Sequence, residues 1–168
     1  MSLLCWNCRG IGKAATVREL HTLARQFAPS ILCILETQLE GSRVEQLAEG
    51  LGFNKSFAVS SSGRSGGLCI FWNDEIKVQI LGYSRYHIDA LVDNMVDIQV
   101  RICFVYGEAQ VPNRQNTWDT LKNISETQNR PWAVIGDFNE VLNISEHDGV
   151  GSRSQAQIDG FREAVDTC

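Results

Sequence analysis

The sequence has no apolar run approaching the roughly 18 to 20 residues a membrane-spanning helix requires. The apolar stretch beginning at Leu3 leaves no room for a charged segment followed by a signal-peptide core. The expected location is therefore intracellular, in nucleus or cytoplasm, with no membrane partner. Excess positive charge is missing too. Lys and Arg number 15 against 20 Asp and Glu, a net charge of -5, which argues against a protein that coats nucleic acid by bulk electrostatics. A nuclease is not excluded, since it needs local carboxylates for a cation and only a few arginines for phosphates. Repeats, low-complexity tracts and linkers are absent. With 43% hydrophobic and 21% charged residues, the 168 residues are expected to form one domain, 1–168, with a substantial core.

A disulfide framework is also lacking. Of six cysteines, Cys5, Cys33, Cys69 and Cys103 lie inside apolar runs, where reduced thiols act as small hydrophobes. Cys5 and Cys8 have C-x-x-C spacing, but no second pair or histidine set follows, so a zinc site has little support. The N-x-S triplets at Asn54, Asn123 and Asn143 carry no meaning without a secretory signal.

Residues 3–7 read as a strand and 8–13 as a glycine loop. Thr16 and Glu19 have capping-box spacing, opening a helix with Val17, Leu20, Leu23, Ala24 and Phe27 on one face and a stop near Pro29. Residues 31–36 are a continuous apolar run ending in a carboxylate, a buried strand. Ser42 and Glu45 suggest a second capped helix, with Val44, Leu47, Ala48 and Leu51 inward and Gly52 as its stop. Residues 57–72 read as a hairpin around a Ser/Gly turn, and 77–92 and 97–107 as strands joined by a turn at Asp93 and Asn94. A helix over 113–125 places Trp118, Leu121 and Ile124 on one face, and a strand follows at 132–135. A last helix, capped by Ser154 and Gln157, turns Ile158, Phe161 and Val165 inward. Two mixed sheets covered by helices, an α+β or α/β sandwich, would use every apolar face.

Polar residues end the strands. Asn7, Glu36, Tyr106, and Asp137 with Asn139 each follow an apolar run, at positions where a sheet fixes the backbone and the next loop gives access. In an extended segment Asp137 and Asn139 face one side while Phe138 packs the other way. Gly136 reads as the residue that lets the backbone turn where substrate comes close. Singly, each of these is an ordinary turn former or strand-end residue. Jointly they form an inventory for a hard divalent cation and a phosphoryl oxygen.

The blocks LLCWNCRGIG, ILCILETQL, GRSGGLCIFW, VYGEAQVPNRQNTW and PWAVIGDFNEVLN, in that order, resemble successive blocks of the endonuclease/exonuclease/phosphatase superfamily, the DNase I-like fold. More narrowly, they are similar to the endonuclease domain of plant LINE-type (non-LTR) retrotransposons, where SRYHIDA and residues 155–168 also have counterparts. The resemblance implies a four-layered α/β sandwich with two mixed β-sheets, and a DNA-nicking phosphodiesterase dependent on Mg²⁺ or Mn²⁺. It further implies Glu36 as metal ligand with Asn7 beside it helping to hold metal or water, Tyr106 on the scissile phosphate, Asp137 orienting or deprotonating the attacking water, and Asn139 holding Asp137 and donating to phosphoryl oxygens. A phosphodiester repels anionic nucleophiles, so a cation, an aligned water and hydrogen-bond donors are the groups such chemistry requires.

His87 and Asp89 fall on the same side of a strand, either as a general base with its orienting carboxylate or as a structural pair. Arg9 and Lys13 in the first loop and Arg64 in the Ser/Gly hairpin are either DNA phosphate contacts or solvated loop cations. Arg85 and Arg114 belong to the same group. Members of the superfamily continue to a catalytic Asp and a terminal Ser-Asp-His block, whereas this sequence stops at Cys168. His21 and His147 do not replace it. The resemblance thus implies a domain incomplete at its C-terminus, weak or inactive, that self-associates through an exposed sheet edge, with no obligate protein partner evident. Two alternatives stand beside it. One is another phosphoesterase of the same fold, such as a phosphoinositide phosphatase or deadenylase; the other is a non-catalytic, degenerate retroelement fragment.

Overall fold

In the computed structural model, the two continuous apolar runs become the central strands of one sheet, β2 (Ile31–Leu35) and β4 (Leu68–Trp72), both buried at every residue. Burial on both faces explains why neither run alternates with polar residues. Strand β1 (Leu3–Asn7) pairs parallel to β2, and β3 (Lys55–Val59) pairs antiparallel to β4, giving the order β1-β2-β4-β3. The structure describes residues 1–63, 65–93, 99–127, 130–149 and 153–168. Arg64 and Asn94 lie outside them. Among the described residues, no helix is long and apolar enough to cross a membrane.

The chain forms two compact units, Met1–Tyr106 with Arg130–Gly136, and Gly107–Asn129 with Asp137–Cys168. The first holds a second sheet of β5 (Lys77–Ser84), β6 (His87–Asp93), β7 (Gln99–Tyr106) and β8 (Trp132–Asp137), paired in that order. Strands β5, β6 and β7 run antiparallel. The bonds Arg101 N to Pro131 O (2.9 Å) and Gly107 N to Asp137 O (2.7 Å) advance together along β7 and β8, so this pair is parallel and both sheets are mixed, as expected.

Strand parity divides the apolar residues of the first unit. Ile31, Cys33, Leu35, Leu68, Ile70 and Trp72 meet Ile88, Ala90, Val92, Ile102, Phe104 and Tyr106 of the second sheet in one core. Leu32, Ile34, Cys69 and Phe71 point the other way, against Leu20 and Ala24 of α1 (Ala14–Phe27) and Val44 of α2 (Gly41–Glu45). Every cysteine is unpaired, and Cys8, Cys33, Cys69 and Cys103 are buried.

Several boundaries differ from the sequence pattern. Helix α1 starts at Ala14, not at a Thr16 cap; Lys13 is its N-cap without a side-chain bond, because Ala14 and Ala15 favour helix enough to extend it. Its last apolar residue, Phe27, is 54% exposed. The second expected helix is broken into α2 and α3 (Ala48–Leu51), with Glu40 rather than Ser42 as the first cap and Gly52 closing the second in the left-handed conformation. The apolar run over 77–92 is two strands, not one, folded back at Arg85 and Tyr86. No glycine or proline marks that turn.

At Gly136 the packing of the sheet itself calls for glycine. A Cβ at this position would lie 1.8 Å from the Val105 carbonyl oxygen, so glycine is required by the approach of β7. The His87–Asp89 dyad is not formed. The buried Asp89 carboxylate accepts from Arg101 Nε at 2.9 and 3.1 Å and from Nη2 at 2.6 Å. His87 Nδ1 instead lies 2.7 Å from Ser84 Oγ. That oxygen also accepts from Tyr86 N at 3.1 Å. Burial lowers the His87 pKa below its ordinary 6.5, opposed by the charge of Asp89.

In the second unit, α4 (Gln115–Glu126) and α5 (Gln155–Thr167) pack through Trp118 and Phe161, rings stacked at 4.7 Å. The Ser154–Gln157 capping box forms as expected. Ala164 takes the buried place expected of Val165, which is 48% exposed. Arg114 is no phosphate contact: its buried guanidinium pairs with the Glu140 carboxylate and donates to the Glu108 and Ala109 carbonyls. Arg85 lies over the Tyr86 ring, 4.8 Å from its centre.

Gly136→Ala is expected to cost about 3 kcal/mol in urea denaturation. Gly82→Ala, with nothing within 4 Å of the added atom, is expected to stay within about 0.5 kcal/mol. A depressed histidine pKa means that the unfolded chain binds the proton more tightly. The His87 contribution is therefore complete above 6.5 and lost as pH falls through the window between 6.5 and the lower folded value. The wild type should thus lose more stability than His87→Gln between pH 7.5 and 5.5, measured by urea unfolding at each pH.

Candidate active site

Because Asn7 pairs with Leu35 in the parallel register, Glu36 leaves β2 beside the end of β1. The chain then bends through two left-handed residues, Glu36 and Gln38, each with φ 55°. Such backbone persists only where its surroundings over-determine it. Here Gly10 N and Ile11 N donate to the Glu36 and Thr37 carbonyls at 2.8 and 3.0 Å, while Thr37 N and Gln38 N donate to the Gly67 and Gly66 carbonyls at 3.1 and 3.0 Å. The bend is gripped from both sides by glycine-containing loops.

Glu36 is half-buried, and its carboxylate accepts from Gln38 Nε2 at 2.9 Å. Among the described residues it forms no ion pair. Asn7 Oδ1 accepts from Arg9 N at 3.1 Å, closing a turn at the start of the first loop. Arg9 and Lys13 are exposed in this first loop. Beside them, burial pushes the Cys8 thiol up to about 11, with the Glu36 charge adding to it. The Tyr106 ring is 6% exposed in the inter-sheet core, and its backbone N–H bonds the Tyr86 carbonyl at 2.8 Å.

In the second unit, Asn139 has φ 54° and its N–H caps Asp137 Oδ1 at 2.9 Å. Its side-chain Nδ2 donates to the Gly107 carbonyl at 2.7 Å, and Gly107 N returns a bond to the Asp137 carbonyl. The GDFN turn is thus stitched to the residue after β7, and the Asp137 carboxylate is oriented by the backbone that follows it. Phe138 packs against Phe161, ring centres 5.2 Å apart. Much of the Asn139 amide serves this scaffold.

Among the described residues, no three His, Cys, Asp or Glu side chains gather as a metal cluster. The donor set at the end of β2 is one carboxylate without an ion pair among the described residues, oxygen chemistry that suits Mg²⁺ completed by waters and substrate and does not suit Zn²⁺. Gln38 was not singled out in the sequence, although its spacing from Glu36 is the same two residues that joined Asn139 to Asp137. Thr37, between them, is fully buried, and its hydroxyl has no hydrogen-bond partner among the described residues.

Solved structures share this fold. The 3′ phosphatase NExo from Neisseria, bound to a product DNA hairpin, matches with a TM-score of 0.70 at 16% identity, over 99% of this chain and 71% of its own. An AP endonuclease from Archaeoglobus fulgidus matches with a TM-score of 0.75 at 15% identity, over 99% and 70%. Humanized D. rerio TDP2 matches with 0.64 at 15% identity, over 96% and 70%. No curated protein sequence matches the chain. A family model does so from residue 4 to residue 161, which takes in Asn7, Glu36, Tyr106, Asp137 and Asn139, and the chain accordingly belongs to the Endonuclease/Exonuclease/phosphatase family.

Proposed function

We propose that the chain is a phosphodiesterase that nicks DNA with the help of Mg²⁺ or Mn²⁺, of the LINE retrotransposon endonuclease type. The observation that carries this reading is the half-buried Glu36 carboxylate, held by a neutral amide and by no cation among the described residues. A half-buried carboxylate without an ion-pair partner is open to an added cation. The DNA-bound 3′ phosphatase and the AP endonuclease support DNA as substrate. The blocks WNCRGIG and SGGLCIFW support the retroelement branch.

Glu36 would hold the cation, which would supply charge neutralisation at the phosphate oxygens and the leaving oxyanion. Asn7, at the end of the neighbouring strand, would help to hold metal or water. Asp137, oriented by the Asn139 N–H, aligns and deprotonates the attacking water. Asn139 acts chiefly by holding that carboxylate in place, with the remaining amide hydrogen for a phosphoryl oxygen. Tyr106, buried to its ring, acts at the phosphate with little freedom to move. Arg9 and Lys13 contribute phosphate contacts, few enough to agree with a net charge of -5.

The test is nicking of supercoiled plasmid by the full chain. Relaxed circles are expected with Mg²⁺ or Mn²⁺ and none with EDTA. Glu36→Gln and Asp137→Asn are each expected to lower the rate about 100-fold or more. Absence of cleavage, or cleavage indifferent to both substitutions, overturns the reading.

A further inference from the structure

Gln38 has no role in the assignments above, yet it is the residue that touches Glu36. We infer that Gln38 is a positioning residue for the cation site, fixing which oxygen of Glu36 meets the ion; this rests on the reading of Glu36 as cation ligand. The terminal torsion of a glutamate is broad, so an unrestrained carboxylate presents its oxygens in many orientations. Donation from Gln38 Nε2 at 2.9 Å pins Oε1 and leaves Oε2 as the oxygen turned to a ligand.

Gln38 is itself held. Its backbone is left-handed, its N–H bonds Gly66 O at 3.0 Å, and the first loop closes on its amide. A Cβ at residue 10 would lie 3.0 Å from Gln38 Oε1 and 3.4 Å from its Cδ, and Gly10 has φ 100°, so glycine there leaves room for the amide and fixes its far side. The chemistry of an amide matters as well. A lysine or arginine in this place would neutralise Glu36 and compete with a cation, whereas a carboxamide orients the carboxylate and leaves its charge available. Partners of this kind typically govern metal affinity about 10- to 100-fold.

The experiment is Mn²⁺ titration of the full chain, with free Mn²⁺ read from its electron paramagnetic resonance signal, on wild type, Gln38→Met, Gln38→Ala and Glu36→Gln. Gln38→Met and Gln38→Ala are expected to raise the Mn²⁺ Kd about 10- to 100-fold. The melting temperature of the metal-free protein should stay unchanged, and the nicking rate at saturating Mn²⁺ should recover to within a few-fold of wild type. Wild-type Kd in both Gln38 variants, while Glu36→Gln abolishes binding, overturns the inference. So does a Kd that moves only in step with a fall in melting temperature. If Glu36→Gln itself binds Mn²⁺ like wild type, the assignment of Glu36 fails instead, a distinct result.

Discussion

The pairing of β2 with β4, buried on both faces, is the constraint from which the first unit follows. Odd-numbered residues of 31–35 face the second sheet and even-numbered ones face the helices, so every side chain in the strand must be apolar. Each large one contributes about 1.5 to 3 kcal/mol by leaving water. A polar group has no place within such a strand. It finds one only at the first position beyond it, and Glu36 occupies that position. The parallel register then carries the same rule to β1, where Asn7 is the residue opposite Leu35.

This is why strands were legible in the sequence and helix starts were not. A run apolar at every position admits few structures when it is five residues long. Capping signals are weaker: Ser154 with Gln157 forms its box, while Thr16 with Glu19 does not, because two alanines upstream prolong the helix at no cost. The turn at Arg85 and Tyr86 left no glycine or proline to read, being held by Ser84 Oγ, which bonds the Tyr86 N–H and the His87 ring. Val165 and Phe27 have the helical spacing of core residues but lie near helix ends, where the partner surface has run out.

The candidate site was legible as residue types and less so as contacts. Parity in an extended segment placed Asp137 and Asn139 on one side of the chain, but the strand ends at Asp137 and Asn139 turns into the left-handed region with φ 54°. Parity could not show that the Asn139 amide is drawn to the Gly107 carbonyl, since that depends on β7 lying beside β8. Asp89 shows the same limit. Two residues from His87, it suggested a dyad, but Arg101 on the adjacent strand offers two N–H donors where imidazole offers one, and the bidentate arrangement prevails.

Comparing three carboxylates isolates what is unusual about Glu36. Asp89 is buried and carries Arg101; the Glu140 side chain is fully buried and lies between Arg114 and Arg153. Both follow the rule that a charge taken from water needs a partner, and each partner is supplied by the fold itself. Glu36 is half-buried at the end of the most apolar strand, on backbone held in the left-handed region by four hydrogen bonds from two loops, and its side chain receives one neutral donor. If its role were structural, an arginine in place of Gln38 would serve better, as it does for the other two. The neutral amide from Gln38 orients the Glu36 carboxylate without cancelling its charge, in keeping with the cation proposed for it.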